Sequence, residues 1–198
     1  MGIEPLLFGI EFLDLEWWLG HFGEALFWIS LAVLFVECGL LFPFLPGDTL
    51  LFSIGLFIAT EQIDLFPGGV GAELTIAMSL MVVAAFAGNV AGYEIGRRIG
   101  PPLYERDSRF LRRKHFESTN EFFERHGRPA LVLGRFVAFV RTFITVVAGA
   151  TRMDRGVFLL WSFIGAVLWV VGVTMLGYWL GNVEWLRNNL DFAILAIL

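Results

Sequence analysis

The stretch Glu37–Asp48, ECGLLFPFLPGD, interrupts an apolar run that extends from about Ala25 to Thr60. A helix in lipid must satisfy its backbone hydrogen bonds internally. This stretch prevents that. Pro43 and Pro46 remove donors and break the helix, and Gly47 permits a tight turn. Glu37 and Asp48 place a carboxylate at each end of the break. Irregular backbone at membrane depth persists only where it is buried in protein or lines a wet cavity, and carboxylates there are costly enough to mark a functional site. The stretch therefore reads as the tip of a re-entrant hairpin facing a site. The competing reading is a loop between two short helices with both acids at the surface.

Composition supports a membrane setting. Of 198 residues, 57% are hydrophobic and only 17% charged, where a soluble domain carries about a quarter charged. Mean hydropathy is +0.72. The expectation is an all-α integral membrane protein of one domain. Residues 1–96 hold eleven acids and no Lys or Arg, whereas 97–128 hold nine basic residues against five acids. The positive-inside rule assigns 97–128 to the cytoplasm and the acidic N-terminal stretch to the other side. The lone Cys38 excludes an internal disulfide and a multi-thiolate metal site, and reads as a small buried apolar residue. The N-terminus lacks the basic region of a signal peptide.

Taken in order, residues 1–24 interleave five acids with Phe12, Trp17, Trp18 and Phe22, as an interfacial helix would. Residues 25–60 form the first broken segment, either one span plus a half helix or two half-depth arms. A polar, Gly/Pro-rich loop follows at 61–73. Residues 74–96 read as a span on which Ala84, Gly88, Gly92 and Gly96 make a small-residue face for helix packing. Such a face serves within a chain or between chains of a homo-oligomer. Asn89, inside this span, needs a polar partner. The basic segment 97–128 reads as a topology signal that contacts anionic lipid headgroups.

Residues 129–151 form a second broken segment, with Gly134, Arg135 and Arg141. Six residues apart is about 240° around a helix, so a continuous helix would point the arginines apart. A break near Ala138 would bring them together. Snorkelling is open to Arg135, near the loop, and difficult for Arg141, deep in the run. Residues 156–183 are a charge-free span, and 184–198 a short C-terminal segment.

The order "broken charged segment, then long glycine-bearing helix" thus occurs twice, in 25–96 and 129–183. With re-entrant broken segments, a single crossing between them inverts the second unit relative to the first. The expected architecture is an inverted repeat of two re-entrant helical hairpins plus transmembrane helices, with Glu37 and Asp48 meeting Arg135 and Arg141 near the midplane. Transporters commonly bind substrate at such a repeat interface.

These residues also carry a family resemblance. Glu37 with PFLPGD at 43–48, GNVAGYEIGRRIG at 88–100, FFERHG at 122–127, GRFVAFVRT at 134–142 and AGA at 148–150 resemble the DedA family, which shares the membrane domain called SNARE-associated or VTT. The resemblance covers roughly residues 20–183. Two positions depart from the family pattern: Asn89, where an acid is usual, and Ala138, where proline is usual. The resemblance implies a multi-pass protein of the cytoplasmic (inner) membrane with two opposed re-entrant hairpins. It further implies lipid transport, namely return of undecaprenyl phosphate across the membrane coupled to the proton motive force, or phospholipid scrambling as in eukaryotic relatives.

The residue chemistry suits an anionic lipid phosphate. Arg135 and Arg141 can hold a phosphate through charge-assisted, bidentate bonds. Glu37 and Asp48 can pair with the arginines when the site is empty and exchange protons. Pro43, Pro46, Gly47, Gly88, Asn89, Gly92 and Gly134 shape or pack the hairpins. Four readings compete: an uncoupled scramblase, a membrane scaffold or assembly factor, a purely structural salt-bridge network, and an intramembrane enzyme. The last lacks a nucleophile–base set, because His21, His115 and His126 lie outside the spans. No enzyme activity, cofactor, metal or nucleic-acid partner is expected.

Overall fold

Within a hydrocarbon layer a single segment closes its own backbone hydrogen bonds only as a helix. The computed structural model describes residues 25–39, 45–99, 125, 127, 129–136 and 138–183. They form α1 (Ala25–Gly39), α2 (Gly47–Ala59), α3 (Val70–Ile99), the single turn α4 (Ala130–Leu133), a 3-10 turn at Gly134–Phe136, α5 (Ala138–Ala150) and α6 (Arg155–Gly181). No strand occurs among the described residues. The expected interfacial helix at 1–24, most of the basic segment 97–128, the C-terminal segment 184–198 and Pro43 lie outside the described residues.

The helices α3 and α6, 30 and 27 residues long, are apolar and long enough to cross a membrane. α3 begins at Val70, inside the stretch read from sequence as loop. Gly68 and Gly69 take positive φ (125° and 82°) and complete the turn before it. Glu73, in its first turn, then accepts the Leu65 N–H at 2.7 Å and pins the loop. α6 is capped by Asp154, whose side chain accepts the Val157 N–H at 3.0 Å. Its buried face repeats every three or four residues through Phe158, Ser162, Ala166, Val170, Thr174, Gly177 and Gly181. The other side stays apolar yet exposed, at Leu160, Leu168, Leu176 and Trp179 among others. A helix apolar on its outer face as well as its inner one is suited to lipid.

Residues 25–60 form two short arms. With 15 and 13 residues, α1 and α2 are about 22 and 20 Å long, short of the roughly 30 Å hydrocarbon core. α1 lies along α3, where Gly39 and Gly88 let the backbones touch: a Cβ on Gly39 would stand 2.7 Å from the Gly88 carbonyl oxygen.

The other close packings come as a matched pair. On α2, Gly55 meets the backbone of Thr174 and Tyr178 in α6, and Gly177 of α6 meets the Phe52 carbonyl. On α5, Gly149 meets the backbone of Tyr93 and Arg97 in α3, and Gly96 of α3 meets the Val146 carbonyl. Spacings agree on both sides: Phe52 and Gly55 against Val146 and Gly149, Thr174, Gly177 and Tyr178 against Tyr93, Gly96 and Arg97. The short helix α4 packs on α6. The first arm of each half therefore leans on its own long helix, and the second arm on the long helix of the other half. Gly88, Gly92 and Gly96 of the small-residue stripe are used within the chain, against α1 and α5.

At the Arg97 end of α3, the Tyr93 hydroxyl donates to the Met153 carbonyl at 2.6 Å and accepts from Arg97 at 2.7 Å, and Glu94 pairs with Arg155 at 3.1 Å. These bonds tie the end of α3 to the α5–α6 connection. Two buried apolar clusters flank the centre, one around Leu34, Ile54, Met81 and Trp169, the other around Tyr93, Leu131, Ile144 and Phe158.

Candidate functional site

Three helix ends converge between those clusters. Glu37 sits in the last turn of α1 and Asp48 in the first turn of α2, where the helix dipole favours a carboxylate. Pro46 precedes α2, and its carbonyl accepts the Leu50 N–H at 2.9 Å. A Cβ on Gly47 would collide with the Glu37 carboxylate, so glycine there lets the two ends close on each other. From the first turns of α5, Arg141 donates Nη2 to Glu37 Oε1 at 2.6 Å and Nη1 to Asp48 Oδ2 at 2.7 Å. The two carboxylates differ in setting: the side chain of Glu37 is 2% exposed and that of Asp48 51%.

Arg135 projects from the 3-10 turn and is buried. It makes no ion pair among the described residues, and its Nη1 finds no hydrogen-bond partner among them. Its guanidinium carbon lies 5.5 Å from the centre of the Trp169 ring, and that of Arg141 lies 5.2 Å from the same ring. The indole N–H of Trp169 donates to Asp48 Oδ1 at 2.6 Å. The break that brings the arginines together is the 3-10 turn at Gly134–Phe136, ahead of Ala138, which already belongs to α5. Gly134, buried, ends α4 and opens this turn.

The supporting residues lie nearby on α3. Gly88 faces Phe35 and Cys38 of α1, and Gly92 faces Gly39 and the Thr145 hydroxyl. Asn89 is buried, and its amide nitrogen has no partner among the described residues; the same holds for the Thr145 hydroxyl. Among the described residues no three His, Cys, Asp or Glu side chains gather as metal ligands.

Trp169 escapes a reading based on charge, because it lies in a span with no charged residue. Its depth is the available signal. Tryptophan favours the membrane interfaces, and one in the middle of a span brings an N–H that needs an acceptor.

Chemically, the arrangement offers two cations on one aromatic wall. One is held by two carboxylates, and the other has none at ion-pair distance among the described residues. Guanidinium groups placed this way present donors that suit an oxyanion.

A family model described as the VTT domain matches residues 32–179, a span that contains Glu37, Asp48, Arg135, Arg141 and Trp169. An uncharacterized membrane protein of Mycobacterium leprae is 42% identical over 190 residues, covering 94% of this chain and 82% of its own. Protein DedA of Escherichia coli K12 is 36% identical over 182 residues, covering 91% and 80%. Inner membrane protein YqjA of the same strain is 35% identical over 159 residues, covering 79% and 68%. No solved structure matches. The extent of these matches, together with two helices able to span a bilayer, identifies the chain as a membrane protein of the DedA family, built on the VTT domain.

Proposed function

We propose that the chain is a lipid transporter that carries an anionic lipid phosphate, foremost undecaprenyl phosphate, across the cytoplasmic membrane, and that protons on Glu37 and Asp48 couple the movement to the proton motive force. The observation that carries this reading is the inequality of the two arginines. Arg135 is a buried cation with no carboxylate at ion-pair distance among the described residues, beside an Arg141 that pairs with two. A buried charge without a counter-charge is costly, and a phosphate is the counter-ion that a two-arginine seat fits best. Protonation of Glu37 and Asp48 would loosen Arg141 and complete the seat. The site works by binding and release, with no covalent step and no cofactor.

The arm packing supports an inverted repeat of two re-entrant hairpins. α1–α2 forms one hairpin, with its tip charges Glu37 and Asp48 level with the middle of α6. The other comprises α4, the 3-10 turn and α5, with its tip charges Arg135 and Arg141 at the same level. Each tip reaches the centre from its own side, so small movements of the arms would open the site to one side or the other while the lipid tail stays in the bilayer. In this reading Arg97 and the following basic segment lie on the cytoplasmic side.

The test is reconstitution of the full chain in liposomes, following undecaprenyl phosphate between leaflets with and without an imposed pH gradient. Gradient-dependent movement that is lost in Arg141→Ala is the expected result. Movement indifferent to the gradient would mean a scramblase. Wild-type rates in both Arg141→Ala and Arg135→Ala would remove the phosphate seat altogether, and no movement of any lipid would favour a scaffold.

A further inference from the structure

We propose that Trp169 is the positioning residue of this site: its N–H anchors Asp48 while its ring carries both guanidiniums, so one side chain of α6 sets where the arginines present their donors. The proposal rests on the phosphate-seat reading and assigns a role to a residue that the charge pattern leaves out.

Three contacts meet on this indole. Asp48 divides its oxygens, giving Oδ2 to Arg141 and Oδ1 to Trp169. An anion that draws Arg141 away therefore leaves Asp48 with a donor still in place, and the carboxylate does not follow the guanidinium. The ring meets Arg141 at 5.2 Å and Arg135 at 5.5 Å, within cation–π range of both. Two like charges are thereby held in one small volume, and for Arg135 the ring face stands in for the carboxylate that it lacks among the described residues. Trp169 is itself 2% exposed, so packing fixes its orientation.

A second feature of α6 fits the same role. One turn earlier on the same face, Gly165 leaves room for the Arg135 stem: a Cβ there would stand 3.0 Å from Arg135 Cδ and 3.2 Å from Nε. Gly165 and Trp169 together form a seat, a gap for the stem followed by a wall for the head.

The two functions of the indole separate by substitution. Trp169→Phe keeps a ring face and removes the N–H, while Trp169→Leu removes both. The probe is farnesyl phosphate, a short prenyl phosphate, titrated calorimetrically into the full chain purified in detergent, with liposome transport measured in parallel. Trp169→Phe is expected to bind within about threefold of wild type yet turn over more slowly, since Asp48 is no longer held. Trp169→Leu is expected to bind about tenfold more weakly. A spectroscopic readout accompanies both: tryptophan emission should change when the probe binds wild type, and the change should vanish in Trp169→Phe.

Phe and Leu variants of equal affinity, or an undiminished emission change in Trp169→Phe, would overturn the proposal. If binding is lost in Arg135→Ala and Arg141→Ala but intact in Trp169→Leu, the phosphate seat stands and the role of Trp169 falls. If wild type does not bind the probe, or binding survives both arginine substitutions, both fall.

Discussion

Glu37 and Asp48 hold the same guanidinium at 2.6 and 2.7 Å, so distance cannot rank them. Burial can. The Glu37 side chain is 2% exposed and the Asp48 side chain 51%. Removing one partner of a buried ion pair costs about 3–5 kcal/mol, because the other charge is left uncompensated, whereas an exposed pair contributes only about 0–1 kcal/mol. Arg141→Gln strands the Glu37 carboxylate and should destabilise the protein by about 3–5 kcal/mol. Adding Glu37→Gln replaces both partners with neutral isosteres and should recover most of that loss. Adding Asp48→Asn instead should recover little, since the half-exposed Asp48 is already stabilised by water and by Trp169. Double-mutant cycles on unfolding in detergent micelles would give the two couplings, with Glu37–Arg141 expected to exceed Asp48–Arg141 by about 2 kcal/mol. An Asp48–Arg141 coupling as large as the other would refute the reasoning, and would mean that the open side of Asp48 faces lipid rather than a wet cavity.

The matched helix packings give a symmetric test. Gly55→Ala and Gly149→Ala each drive a methyl into a backbone carbonyl, Thr174 in one case and Tyr93 in the other, and both should lower the yield of folded protein. Gly172→Ala, on the same helix as Gly177 but with nothing within 4 Å of its Cβ position, should be neutral or stabilise by about 0.5–1 kcal/mol in the same unfolding assay. Tyr93→Phe removes the hydroxyl that joins Arg97 to the Met153 carbonyl and should cost about 1 kcal/mol while leaving farnesyl phosphate affinity unchanged in calorimetry.

Much of the architecture is legible in the sequence because lipid leaves the chain few options. Apolar runs long enough to cross become α3 and α6, and Pro46 and Gly47 start a new helix where the pattern breaks. Boundaries were less legible. Val70 begins α3 within a Gly-rich stretch, since the positive φ of Gly68 and Gly69 finishes the loop there, and no hydropathy pattern carries that information. The charged site was legible as a set of four residues, because charges inside apolar runs stand out. Its internal order was not. Which carboxylate is buried, and which arginine lacks one, depends on how α1, α2 and α5 meet. Gly165 belongs to the site through tertiary packing alone, and Trp169 leaves in the sequence only the hint of an indole N–H at the middle of a span.

The way the four charges are distributed bears on what the site is for. A network serving only to fasten the hairpin tips would gain from pairing each arginine with one acid, since each unpaired buried charge subtracts from stability. Here both acids converge on Arg141, and Arg135, the more deeply buried of the two, is left to the Cys38 thiol, an aromatic ring and a glycine gap, with no carboxylate at ion-pair distance among the described residues. Glu37 keeps a buried oxygen without a partner, and Arg141 keeps a buried Nε without one. Each of these groups is a hydrogen-bonding position that the fold leaves unused within the described residues, and they lie around the same centre. Stability alone gives no reason for that pattern. Under the proposed transport function, an oxyanion entering between the arginines would supply both missing elements, a counter-charge for Arg135 and a competitor that releases Arg141 from its carboxylates.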